Sequence, residues 1–279
     1  MYQITDAYTH SGYFHTDDVV ATAFLLMLNP LIKVHRVKDI DEEVKCCEEK
    51  IVYDIGLGKY DHHQDNRQIN TYGYPYSAFG LLWEDYGREL LEIKGFKKIE
   101  EGFLRFRDEI VSKIDQGDNC GYADVPCFYE NVVINNFNSK WYESNNDANF
   151  QDKQFNKAVE YASLLLDNWL RKTYSLVEMS ETEQRILNDA LDNSENGIVI
   201  LKENIPWRNY VNKDDQRVKI IINKNPRGGY NVISKDTNII PIMPNEFFSF
   251  VHPSNFMGIA NSLHDAISGA KKIVEIFCS

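Results

Sequence analysis

The stretch ITDAYTHSGYFHTDDVVATAFLLMLNPLIKVHRV, residues 4–37, decides the fold. Residues 4–9 read as an extended strand, residues 17–28 are apolar on most faces as in a helix buried all round, and residues 32–37 alternate as a second strand. A further strand, residues 50–55, runs into Gly56 and Gly58. Strands alternating with helices predict an α/β fold with a mostly parallel sheet flanked by helices. In such sheets ligands gather beyond the carboxyl ends of the strands.

Outward from that core, apolar residues recur at helical spacing over residues 76–91 (Leu81, Leu82, Leu90, Leu91) and 96–114 (Phe103, Phe106, Ile110, Ile114). Residues 131–150 are rich in asparagine and read as irregular; residues 155–174 and 181–191 read as amphipathic helices. Beyond Ser194 the pattern changes to short strands at 197–202, 218–223, 230–234 and 247–252, the middle two joined by the turn Pro226-Arg227-Gly228-Gly229, with a closing helix over 261–277. The expected organisation is a catalytic unit at 1–194 and a smaller α/β unit at 195–279.

Composition bounds the partners. With 279 residues, 43% of them apolar, the chain can bury a sizeable core. A net charge of −12 and a pI near 5.1 supply no basic face for long duplex nucleic acid, so a nucleic-acid substrate is expected to be short and single-stranded, or a nucleotide. Neither a signal peptide nor a membrane-spanning run is visible, which predicts a cytoplasmic protein without a membrane partner. The five cysteines (Cys46, Cys47, Cys120, Cys127, Cys278) have no C-x-x-C spacing and are expected to be reduced.

Three constellations carry chemistry. His10, His15, Asp17 and Asp18 crowd one turn at a strand-to-helix junction; either aspartate alone would serve as a helix cap, but the cap leaves two histidines unexplained. Asp54 closes an apolar strand, where a carboxylate is costly to bury unless it is paired or on a metal. Asp61-His62-His63-Gln64-Asp65 is too rich in ligand-type side chains for an ordinary turn. Four of the seven histidines fall in these two short loops, which makes chance the weaker account.

Together with Pro75-Tyr76-Ser77-Ala78-x-Gly80-Leu81, Ile114-Asp115-x-x-Asp118-Asn119, Phe137-Asn138-x-x-Trp141, Ile205-Pro206-Trp207 and Phe250-Val251-His252, these motifs resemble the melanocyte-proliferating-gene family, a branch of the DHH phosphoesterase superfamily. The resemblance implies a two-metal hydrolase acting as a 3′-to-5′ exonuclease, with substrate held between a metal-binding domain and a smaller one. By position, His10, His15 and Asp17 would ligate one metal and Asp54 would bridge. His62 and Asp115 would complete the second, with Asp118 as the alternative to Asp115. Asp61, His62 and His63 would form the catalytic run, with His63 facing the phosphate. Superfamily relatives more often have aspartate where His15 stands, so the first metal would see more nitrogen here.

The chemistry can also be argued from the residues. Two divalent ions roughly 3.5–4 Å apart activate a water and clamp phosphoryl oxygens. Mixed imidazole and carboxylate donors suit manganese first, with cobalt, zinc and iron behind it and magnesium last. In the second unit Arg208, Arg227 and His252 are candidate substrate contacts, and Trp141 and Trp207 candidate stacking faces, although a tryptophan is more often packing. Two other readings stand beside the exonuclease: a hydrolase of a small phosphoanhydride or nucleotide, and a nucleotide-binding module without catalysis.

Overall fold

In the computed structural model, which describes residues 4–120, 130–143, 148–212 and 214–278, residues 4–37 form β1 (Asp6–His10), α1 (Thr16–Leu28) and β2 (Lys33–Val37). Residues 1–3, Cys127 and residues 144–147 lie outside the described residues. A short helix, α2 (Glu42–Lys45), leads to β3 (Lys50–Val52). All pairings are parallel, in the order β2-β1-β3, with Ala7 opposite Val34 on one side and Ile51 on the other. The chain leaves β1 toward one edge and returns on the other, so the gap between the ends of β1 and β3 is a topological switch point.

Of the thirteen residues of α1, eleven are buried, which explains why its sequence shows no polar face. It packs against α3 (Ala78–Ile93) and α7 (Ala148–Val177). Phe24 of α1 meets the edge of Phe79 at 5.7 Å, and Trp83 stacks on Phe106 at 4.4 Å, joining the helices into one core.

The structure corrects several boundaries. Residues 96–114 do not form one helix: α4 (Ile99–Phe106) passes through a π-helical turn, Arg107–Val111, into α5 (Ser112–Cys120). A wider turn re-phases the side chains that follow it, and such turns recur at functional sites. The asparagine-rich stretch is not wholly irregular, since α6 (Glu130–Asn135) covers its start and α7 covers its end from Ala148. Cys46, Cys47 and Cys120 are free thiols, and among the described residues no helix is long and apolar enough to cross a membrane.

Compactness divides the chain at Glu178 and Met179 rather than at 194 and 195. The physical reason is α8 (Glu181–Asp192), opened by a reciprocal Ser180–Glu183 capping box, which sets Leu187 and Leu191 into a cluster with Val199, Leu201 and Ile221. In this second unit β4 (Ile198–Leu201), β5 (Ile220–Lys224), β6 (Tyr230–Ser234), β7 (Phe250–Val251) and β8 (Met257–Ala260) form a sheet in the order β4-β5-β6-β8-β7. Only β4 and β5 run parallel. The expected strand at 247–252 shrinks to two residues, and β8, absent from the sequence reading because it is short and contains Gly258, takes the place beside β6. Successive residues of β5 face opposite clusters: Ile220 and Ile222 meet Ala266, Ala270 and Ile273 of α9 (Leu263–Cys278), while Ile221 meets the α8 side.

Candidate metal centre

The carboxyl edge of the parallel sheet collects the ligand-type side chains. His10 ends β1, Asp54 follows β3, Asp17 and Asp18 occupy the first turn of α1, His62 lies in the next loop, and Asp118 reaches in from α5. His10 Nε2 stands 3.1 Å from Asp54 Oδ2 and 3.3 Å from Asp18 Oδ2. His62 Nε2 stands 3.1 Å from Asp54 Oδ1, 3.2 Å from Asp118 Oδ2 and 3.6 Å from Asp17 Oδ2. Among the described residues, ligand atoms converge to within 4.8 Å in four overlapping sets: His10, His15, Asp54; Asp54, His62, His63; Asp17, His62, Asp118; and Asp17, Asp18, Asp54. Asp54 belongs to three of them, which is the position a bridging carboxylate would hold.

Local structure builds this convergence. Asp54 has φ of 55°, a left-handed backbone that aspartate tolerates better than most residues and that costs free energy in any case. Asp18 divides its oxygens: Oδ1 accepts from the His15 backbone N–H at 2.9 Å and starts the helix, leaving Oδ2 for the cluster. Asp17 Oδ2 accepts from Ala78 N at 3.3 Å. The loop before α1 is pinned by Asn138, whose amide exchanges two hydrogen bonds with the Phe14 backbone, at 3.0 and 2.8 Å.

The electrostatics are lopsided. Asp17, Asp18, Asp54 and Asp118 are all buried or nearly so, and His10 and His62 face them at 3.1–3.6 Å as potential cations, with His15 and His63 farther out. Four carboxylate oxygens, Asp17 Oδ1, Asp18 Oδ2, Asp54 Oδ2 and Asp118 Oδ2, are buried without a hydrogen bond. Burial opposes ionisation of Asp54, but His10 and His62 more than offset it and hold its carboxyl down at about 2. Burial and the charge of Asp17 push Asp118 up to about 9, and burial likewise raises Asp17 and Asp18. Burial works against the charged forms of His10 and His62, yet the surrounding carboxylates raise both to about 9. Ionising all four acids together would build up negative charge in a buried place, which is why three of them are held toward the protonated form and why a bound cation would release their protons. The donor set, imidazole nitrogen with carboxylate oxygen, therefore fits divalent metal ions.

Asp115, the acid the sequence reading put first, is not in any of the four sets. Its Oδ1 accepts from Ser77 N at 2.9 Å and Ser77 Oγ at 2.7 Å, and its Oδ2 from Asn70 Nδ2 at 2.9 Å. It anchors the start of α3 instead, and burial leaves its carboxyl raised to about 6 despite those bonds. The alternative, Asp118, is the one brought into the cluster. Asp18, seen in the sequence but left out of the ligand set, joins it as well.

Asp61 and His63 form a separate pair. Asp61 is buried and its Oδ1 accepts from His63 Nδ1 at 2.7 Å, while its Oδ2 accepts from Leu57 N at 2.6 Å. A carboxylate can only accept, so Nδ1 carries the proton and Nε2 is left for chemistry. The exposed His63 ring borders a cavity of about 640 Å³ lined also by His15, His62, Gln64, Arg67 and Asp118. Gln64 and Asn119 around this cavity stood in the quoted motifs without a role of their own, and Arg67 escaped the sequence reading, because a lone polar side chain in a polar run carries no signal.

The remaining candidates belong to the second unit or the surface. Arg208 is exposed and lies over the Trp207 ring at 4.6 Å; Trp207 is buried in that unit's core and offers no free stacking face. Arg227 is exposed on the hairpin turn, and His252 Nδ1 accepts from Ser254 N at 3.1 Å. Trp141, in the first unit, is 87% exposed.

Residues 6–239 match the profile of the Uncharacterised protein family (UPF0160), MYG1 exonuclease. An MYG1 protein of Dictyostelium discoideum is 24% identical, the alignment covering 83% of this chain and 78% of the relative. One from Saccharomyces cerevisiae is also 24% identical, covering 73% and 68%, and an MYG1 exonuclease of Mus musculus is 22% identical, covering 97% and 78%. No solved structure matches.

Proposed function

The chain belongs to the MYG1 exonuclease family, and from that premise we propose that its cluster of aspartates and histidines holds two divalent metal ions, manganese first, and hydrolyses phosphodiester bonds at the 3′ end of short single-stranded RNA or DNA. The observation that carries the reading is the convergence of four buried carboxylates, with four orphaned oxygens, on His10 and His62 at the switch point of a parallel sheet. The DHH superfamily resemblance of Asp61-His62-His63 and the polarity of cleavage are parts of this proposal, supported by the motifs alone.

His10, His15 and Asp54 would hold one ion; Asp17, His62 and Asp118 the other, with Asp54 within reach of both sets. When bound, such ions lower the pKa of a water toward neutrality and polarise the phosphoryl oxygens. The protein supplies the rest. Asp54, held on its left-handed backbone, would link the two sets, since its oxygens lie 3.1 Å from both His10 Nε2 and His62 Nε2. Asp61 holds the His63 ring with Nε2 at the cavity wall, where the ring would first take a proton on Nε2, with the Asp61 carboxylate as counter-ion, and then give that proton to the departing alkoxide oxygen and return to the neutral form.

The test is cleavage of a 5′-labelled oligonucleotide with and without manganese. The reading expects a ladder shortening from the 3′ end, lost on Asp54→Asn. Turnover unchanged by that substitution would overturn it.

A further inference from the structure

The cavity beside the metal cluster is acidic, lined by Asp65 and Asp118, and Arg67 is its one lysine or arginine among the described residues. A polyanion entering such a site meets repulsion unless a cation receives it. Arg67 is exposed, and its guanidinium NH1 donates to Asn119 Oδ1 at 3.2 Å. The orientation of that amide is set from the other end, because Asn119 Nδ2 donates to Pro75 O at 3.0 Å and Asp115 O at 2.9 Å. Arg67 is thus steered by a neutral oxygen. Arg36, Arg88, Arg105 and Arg107 are instead each paired with a carboxylate. Among the described residues Arg67 has no such ion pair, so its charge and most of its fork of donors stay open to an anion.

Arg67 belongs to none of the ligand sets that would surround the reacting phosphorus, yet it lines the same cavity as His62 and Asp118. We propose that Arg67, aimed by Asn119, grips a second phosphate of the substrate, next to the one that is cleaved. The inference rests on the hydrolase reading and deepens it: the preferred substrate carries at least two phosphates, as an oligonucleotide does and a simple phosphodiester does not.

The experiment compares a tetranucleotide with bis(p-nitrophenyl) phosphate, which has a single phosphate, in wild-type protein, Arg67→Gln and Arg67→Lys, all with manganese. Glutamine keeps a donor toward Asn119 and removes the charge. The expected result is a KM for the tetranucleotide raised about 10- to 100-fold by Arg67→Gln, in line with loss of a charge-assisted hydrogen bond, with kcat unchanged. The lysine variant recovers most of the loss, and the single-phosphate substrate is unaffected by either. Equal losses on both substrates, or no change on either, overturn the proposal. Should wild-type protein cleave neither, the hydrolase reading falls. Anisotropy of the labelled tetranucleotide then decides Arg67 independently: a Kd about tenfold weaker in Arg67→Gln upholds it, an unchanged Kd overturns it.

Discussion

Asp115 and Asp118 lie three residues apart on one helix and do different work. Asp118 offers an orphaned oxygen to the cluster, whereas Asp115 accepts three hydrogen bonds that fix Ser77 and Asn70. The two substitutions should separate cleanly. Asp115→Ala leaves buried donors unpaired and is expected to lower stability by about 2–5 kcal/mol in denaturant unfolding, since each orphaned group costs about 1–3 kcal/mol. Asp118→Asn should leave the unfolding midpoint of the metal-free protein intact or raised, because it removes a carboxyl whose ionisation burial opposes, while weakening manganese binding about tenfold or more. The sequence could not tell these acids apart, because both sit one helical turn apart in the same motif and the π-helical turn upstream sets their phase. His10, Asp17, Asp54 and His62 were legible for the opposite reason: they fall at a strand end, at a helix start and in the loops beyond β3, where clustered imidazoles and carboxylates have no packing explanation. Arg67 was illegible because its meaning lies in the carboxylate it lacks.

At the scale of elements, α3 shows how the centre is tied to its scaffold. Ser77 caps the helix, its Oγ accepting from Gly80 N at 3.1 Å while donating to Asp115. A methyl on Gly80 would run into Asp115 Oδ1 and lie 2.9 Å from the Tyr76 ring. Alanine usually stabilises a helix by about 1 kcal/mol over glycine. Here Gly80→Ala is expected to do the reverse and lower the melting temperature, a sign that thermal unfolding reads directly; a rise would mean that the close approach of α3 to Asp115 is not real. The parallel arrangement of β1, β2 and β3 followed from the alternation of residues 4–55. The boundary at Met179 did not, because α8 is amphipathic and its pattern does not say which sheet it covers.

For the whole molecule, the cluster couples metal, protons and stability. His10 and His62 are raised from their ordinary value of 6.5 to about 9, so the stability they lend the metal-free protein is full below pH 6.5 and is lost as pH rises through 9. Asp54, lowered from 3.8 to about 2, contributes above pH 3.8 and loses that contribution as pH falls through 2. Asp118, raised to about 9, adds a penalty that grows as pH climbs from 3.8 toward 9. The metal-free protein should therefore lose stability between pH 6.5 and 9. Metal ligation needs imidazoles without the proton, so affinity rises over the same interval and the gap in melting temperature between metal-bound and metal-free protein widens. A gap that narrows toward pH 9 in thermal melts would contradict this linkage.

The most direct measurement is the number of manganese ions bound per chain, by calorimetric titration near pH 8 of the wild-type protein and of Asp54→Asn. Asparagine tolerates the left-handed backbone of position 54, so the fold is kept and only the charge is removed. The account expects two ions per chain in the wild type and the loss of at least one in Asp54→Asn; no binding in the wild type, or binding indifferent to Asp54, would contradict it.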